Sequence, residues 1–248
     1  MHISITPETL FHLGPLPVTN TLLTAWLVVI IVALGAIVFS VTLKRVPSRF
    51  QTAIEGVVEG LLGFFETIAG SREVAKRFFP IVATIFIFVL LSNWAGVIPG
   101  VGSIGFHEVR EGKEAFVPLF RSVFSDLNMT LALALLTVTL SHIFGFIFVG
   151  VRAHLGKFVM LQSPVAAFTG VLEIISELSK IISLSFRLFG NIFAGEVLLT
   201  IMAFLAPYLV PVPFLGLELF VGFIQALIFG TLAMVAFSSF SVAHAEQH

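Results

Sequence analysis

The stretch LEIISELSKIISLSFRLFGNIFAGEVLL, residues 172–199, carries Glu173, Glu177, Lys180, Arg187, Asn191 and Glu196 on a run that is otherwise apolar. Each charge is expensive in hydrocarbon. A central arginine costs about 2.5 to 3.5 kcal/mol on insertion scales, so such groups line a polar path or meet a partner. At about 100° per residue, a helix brings Lys180, Ser183, Asn191 and Glu173 within about 40° of Arg187. Glu196 points about 180° away from that stripe. One helix therefore presents two polar surfaces. A static ion pair of Arg187 or Lys180 with a glutamate is the plain alternative, and it leaves glutamates in excess.

The rest of the chain makes membrane the solvent. Of 248 residues, 58% are hydrophobic and 11% charged, against about a quarter charged in an average soluble domain. The mean hydropathy is +1.09 and there are 28 Phe, a composition that lipid accepts and water would aggregate. Cysteine is absent, which excludes disulfides and thiolate metal sites, and no other cofactor or metal motif is evident. The first uncharged stretch, 20–43, is long enough to cross a core of about 30 Å at about 1.5 Å per residue. It does not read as a signal peptide, because Glu8 and two His precede it without a Lys or Arg, and Lys44 and Arg45 follow it. Further apolar stretches run over 78–101, 127–151, 164–206 and 214–243. The fourth is too long and too polar for a perpendicular span, so it reads as a tilted or partly in-plane helix.

Between the first two spans, residues 51–70 place Ile54, Val57, Val58, Leu61, Leu62, Phe65 and Ile68 at one-face helical spacing. Glu55, Glu59 and Glu66 fill the remainder, and an acidic polar face favours docking to protein over docking to lipid. The expected fold is an all-α membrane protein in a single membrane domain. It has about five membrane helices, including a long tilted or in-plane C-terminal helical hairpin, and an interfacial amphipathic helix. Lys44, Arg45, Arg49, Arg72, Lys76, Arg77, Arg152 and Lys157 fall on one side, against Arg110, Lys113 and Arg121 on the other. Basic loops stay cytoplasmic, so the N-terminal segment 1–19 is expected outside and the C-terminus inside.

The last two apolar regions are joined through Pro207 to Pro213 and should run antiparallel. A hinge near Ala206 and Pro207 sets Arg187 level with Gln225, and Glu196 level with Glu218 about 13 Å nearer the turn. Glu218 and Gln225 share a face of their own helix. Carboxyls in a poorly solvated site exchange protons near neutral pH, whereas a guanidinium keeps its charge and cannot hand a proton across. A fixed cation between two half-paths would block leakage and force the ion onto a mobile carrier.

The run LSFRLFGNIFAGE, residues 184–196, closely resembles the signature of subunit a of F-type ATP synthases, bacterial type. SDLNMT at 125–130 and IQALIF at 224–229 are similar to that family's patterns in the same order, and the resemblance covers nearly the whole chain. It implies a non-catalytic, proton-translocating subunit of the membrane sector, in a bacterial inner membrane. Its implied partners are a ring of c subunits bearing membrane carboxylates, and peripheral-stalk b-type subunits. Arg187 would separate two offset half-channels while attracting each ring carboxylate. Glu196 and Glu218 would line the outer path, Asn191 and Gln225 would stand near the arginine, Glu173 and Lys180 would belong to the inner path, and Asp126 and Asn128 to the outer mouth. Many family members carry one glutamate and one histidine where this chain has Glu196 and Glu218, and two close carboxyls tend to share one charge.

A secondary ion-coupled transporter is the rival reading, but no inverted repeat is visible. A membrane enzyme would need a motif such as HExxH or GxSxG, and the chain has neither. His142 reads more naturally as a packed, hydrogen-bonded residue than as a proton group. Ser92, Asn93 and Trp94 read as packing and interface residues.

Overall fold

A computed structural model of the chain describes residues 7–98, 100–110, 113–158, 163–206 and 210–245. The order is β1 (Thr9–Leu13), β2 (Leu16–Thr19), α1 (Asn20–Thr42), α2 (Arg49–Ala69), α3 (Arg72–Val97), β3 (Gly105–Arg110), β4 (Lys113–Pro118), α4 (Leu127–Phe148), α5 (Val151–Gly156), α6 (Pro164–Leu205) and α7 (Pro211–Ala245). Among the described residues, α1, α3, α4, α6 and the Pro211–Ser239 part of α7 are long and apolar enough to cross a membrane. The molecule is thus an all-α, multi-pass membrane protein. Two antiparallel hairpins, β1 with β2 and β3 with β4, occupy the segment before α1 and the connection between α3 and α4. Residues 207–209, at the expected hinge between the last two helices, lie outside the described residues.

Helix α3 begins at Arg72, before the apolar stretch at Phe78, and carries Arg72, Lys76 and Arg77 on its first turns. Hydropathy marks the part of a helix that suits hydrocarbon, not its ends. Glu73 in the first turn complements the helix dipole. Helix α6 has 42 residues, about 63 Å at about 1.5 Å per residue, roughly twice the thickness of a hydrocarbon core. It is also the least covered span, with 11% of its apolar stretch buried against 33% in α3.

The chain divides into two compact units, and α3, α4, α6 and α7 contribute residues to both. The first holds Met1–Thr42, Phe86–Thr130 and Phe186–Leu227. Its centre is polar as well as apolar. The start of α1 is buried at Asn20, Thr21 and Thr24, and the Thr21 hydroxyl donates to Asp126 Oδ2 at 3.1 Å. Asp126 Oδ1 accepts from the Asn128 amide at 2.9 Å, which caps the N-terminus of α4. Asn93 Nδ2 donates to the Gly222 carbonyl at 3.0 Å and Trp94 Nε1 to the Leu219 carbonyl at 3.1 Å, so α3 is pinned to α7. The outward residues of α1, from Val29 through Leu34 to Val41, are more than half exposed, a surface that suits lipid.

The second unit holds Leu43–Ile85, Leu131–Ser185 and Ile228–His248. Ser48 caps α2 by accepting from the Gln51 amide at 3.2 Å, and Gly70 ends it at φ 77, a left-handed position that glycine takes without a Cβ clash. Leu62 and Phe65 of α2 are buried, while Val57 and Val58 are exposed. The acidic face is partly neutralised from within: Arg72 meets Glu59 and, at 3.1 Å, Glu66, and Glu55 accepts from Gln51 at 2.8 Å. Phe78 packs against Phe144, Phe148 and Phe237, joining α3, α4 and α7.

Candidate functional site

Helix α6 sorts its residues by face as a 3.6-residue period requires. In the first unit Leu188 and Ile192 are buried, at 1% and 2% exposure, and form the inward stripe. Arg187 and Asn191 are exposed, and in the second unit Lys180 and Ser183 are exposed as well. The guanidinium therefore stands on the uncovered side of the least covered helix, amid exposed Ile182 and Phe186.

Glu196 has the opposite aspect. Its carboxylate takes Arg121 Nε at 3.0 Å on Oε1 and the second guanidinium arm at 3.3 Å on Oε2, a two-bond fork. The Arg121 side chain is 9% exposed and that of Glu196 32%. The Arg121 backbone amide donates to the Thr24 hydroxyl at 3.2 Å, which ties the loop before α4 to the buried start of α1. Sequence reasoning counted Arg121 only as an outer-loop charge. No local signal pairs it with a glutamate 75 positions away.

Glu218 comes from α7 and packs against α6 at Gly195. A Cβ built on Gly195 would lie 2.7 Å from Glu218 Oε1 and 3.0 Å from its Cδ, so glycine is what lets the carboxyl approach. This sets Glu218 at the level of Glu196, the level the hairpin arithmetic expects. Glu218 Oε2 is buried with no hydrogen-bond partner among the described residues. Arg121 supplies a countercharge to Glu196. Gln225 is half-buried two turns further along α7. Asp126 has both oxygens engaged in capping α4 and holding Thr21, and Asn128 is exposed at the first turn of α4.

The second unit gathers a different set. Glu173 pairs with Lys157 at 3.2 Å, and Glu177 with Lys180 at 3.0 Å and Lys157 at 3.6 Å. Lys180 thus has the internal glutamate that the plain reading allowed, one turn away on its own helix. His142 Nε2 is 3.8 Å from Glu177 Oε2, and His142 Nδ1 is 3.0 Å from His154 Nε2. His154 and Lys157 lie in and just after the short α5, a segment with no periodicity strong enough to mark it beforehand. Among the described residues no cluster of His, Asp and Glu has the geometry to hold a metal ion.

The chain matches the family described as ATP synthase A chain over residues 22–238. It is 33% identical over 240 residues to the ATP synthase subunit a of Moorella thermoacetica, an alignment covering 97% of this chain and 99% of that protein. It is 32% identical over 234 residues to ATP synthase subunit a 2 of a Bradyrhizobium species, covering 93% and 92%. To the chloroplastic ATP synthase subunit a of Stigeoclonium helveticum it is 38% identical over 215 residues, covering 86% and 81%.

Proposed function

Since this chain belongs to the ATP synthase A chain family, the subunit a family of F-type ATP synthases, we propose that it is the stator half of the ion path, with Arg187 presented to a rotor ring. The family places it in the Fo membrane sector, in a complex that couples proton transport to ATP synthesis, as a subunit not itself catalytic. The observation that carries the reading is the opposition on α6: Arg187 faces out from the bundle while Glu196 turns inward to Arg121 beside Glu218.

In this reading a ring of c subunits moves past the exposed stripe of Lys180, Ser183, Arg187 and Asn191. Each ring carboxylate is drawn into the ionised form beside Arg187, which cannot itself pass a proton, so the two half-channels stay separate. Glu218 is the outer proton carrier, because a buried carboxyl oxygen without a partner is where a proton or water binds. Glu196, bound by Arg121, is the fixed counterpart that orders the outer path, with Asp126 and Asn128 toward its mouth and Gln225 and Asn191 near the arginine. Glu173 and Lys180 belong to the inner path. The count of basic residues supports an outside N-terminus and an inside C-terminus in a bacterial inner membrane. The exposed Val57 and Val58 of α2 offer an apolar face to peripheral-stalk b-type subunits.

Because the chain has no cysteine, single introduced thiols are unique. With a second cysteine beside the ring carboxylate, Asn191→Cys and Ser183→Cys should give disulfide-linked products with the ring subunit, and Leu188→Cys none. Cross-linking from Leu188→Cys alone would place the ring on the wrong face and overturn the reading.

A second expected result concerns Gly195. Valine there drives the Glu218 carboxyl out of position and should slow proton conduction by up to about 100-fold, the cost of misplacing a working group by about 1 Å. Gly216→Ala on α7, whose added methyl meets nothing within 4 Å, should leave conduction unchanged. Equal rates in both variants would remove Glu218 from the path.

A further inference from the structure

We propose that His142, His154 and Glu177 form a second proton-handling site, a paired-imidazole store that takes up one proton and passes it to the Glu177 carboxylate. The inference rests on the stator reading above and adds to its inner path a site that the sequence resemblance does not supply. It stands on geometry within the second unit. His142 Nδ1 lies 3.0 Å from His154 Nε2, within hydrogen-bond distance, and Nε2 lies 3.8 Å from Glu177 Oε2, an ion-pair distance longer than a hydrogen bond. An imidazole whose Nδ1–H is donated to a neighbour keeps Nε2 for taking up and releasing a proton.

The pair is built, not incidental. His154 is 2% exposed, edge-on to His142 and to Phe146 and Phe158. A Cβ on Gly145 would overlap its ring atoms Cε1 and Nδ1, so the last turns of α4 leave space for that imidazole only because residue 145 is glycine. Two imidazoles at 3.0 Å hold one extra proton well, through a charge-assisted N–H to N bond, and a second poorly, because the cations would then adjoin. Burial holds the His154 imidazole below its ordinary value, and Lys157 acts in the same direction.

In the loaded state His142 carries hydrogens on both nitrogens and donates from Nδ1 to His154 Nε2. As Nε2 and Oε2 close from 3.8 Å to hydrogen-bond distance, transfer breaks the Nε2–H bond of His142 and forms an O–H bond on Glu177, leaving both imidazoles neutral and Nδ1–H still donated to His154. Glu177 then loses that proton to water and returns to the carboxylate, and His142 Nε2 takes up the next proton from water. The charged groups around the site are Glu173, Glu177 and Lys180 on α6 and Lys157 after α5. Lys157 and Lys180 both lie within 3.6 Å of Glu177 Oε1, while Oε2 is the oxygen turned to His142.

The test uses the whole ATP synthase in membrane vesicles. Passive proton conduction and ATP-driven pumping are followed between about pH 6 and 9 on the side of α5, with and without added imidazole. His142→Gln and His154→Gln keep much of the ring's volume but cannot store a proton. Both should lose the inflection in the imidazole range and fall by about tenfold near neutral pH, the proton supply of one pH unit. Imidazole should restore the lost flux. Gly145→Ala, which displaces the His154 ring, should reproduce the His154→Gln profile. An unchanged pH profile in both histidine variants, or a uniform fall at every pH that imidazole does not restore, would overturn the proposal. Wild-type vesicles that conduct no protons would overturn the stator reading along with it.

Discussion

Arg187→Ala should abolish ATP-driven proton pumping while leaving the amount of assembled chain in the membrane unchanged. Arg187 is exposed on α6, so its truncation opens no cavity in the core. An arginine within an apolar span costs about 2.5 to 3.5 kcal/mol to insert, so alanine relieves the helix of that cost. Stability therefore predicts little change, and coupling predicts complete loss. Without a fixed cation, a ring carboxylate passing the stator is no longer held ionised, the half-channels are no longer kept apart, and passive leak through the sector should rise. Arg187→Lys restores a charge but not the planar fork, and should recover little pumping. Quenching of a pH-sensitive dye in inverted vesicles reads the first quantity, and immunoblotting of the same membranes reads the second. Pumping at the wild-type rate in Arg187→Ala would refute the role.

The second large effect separates two carboxyls that look equivalent in the sequence. Glu218→Gln should slow proton conduction by about 100-fold, the scale of losing one positioned proton-transfer group, with the chain still assembled. Glu196→Gln should fail differently. It leaves the Arg121 guanidinium, 9% exposed, without its two-bond partner. Breaking a buried pair on one side costs about 3 to 5 kcal/mol, and the lower end applies here because Glu196 is 32% exposed. The expected signature is a lower melting temperature and less chain in the membrane. Replacing both partners, Arg121→Gln with Glu196→Gln, should restore much of that level, because no unpaired charge then remains. If Glu196→Gln assembles normally and conducts as slowly as Glu218→Gln, the division of roles between them is wrong.

Much of the candidate site was legible because helical geometry is local. The spacing of Arg187, Asn191, Ser183 and Lys180 puts them on one stripe in any helix, and the stripe is indeed exposed. The half-turn between Arg187 and Glu196 likewise follows from residue count, and the match in depth between Glu196 and Glu218 follows from antiparallel helices about a shared hinge. The structure brings Glu218 against Gly195 accordingly. Asp126 was legible as a polar residue at the opening of a span, but not as the residue that caps α4 and receives Thr21 from a helix 105 positions away. His142 read as a packed histidine, and the Nδ1 contact that makes it one half of a pair comes from α5, across a turn with no pattern of its own.

The sequence by itself determined the solvent, the number of long apolar helices and the angular placement of charges on each, since composition and a 3.6-residue period need no knowledge of neighbours. Which charge meets which was decided only by tertiary structure. Arg121 with Glu196, and His142 with His154 and Glu177, are contacts between separate segments. Their partners depend on where the helices pack, and two glycines set close approaches that no local pattern marks: Gly145 leaves room for the His154 imidazole and Gly195 for the Glu218 carboxyl.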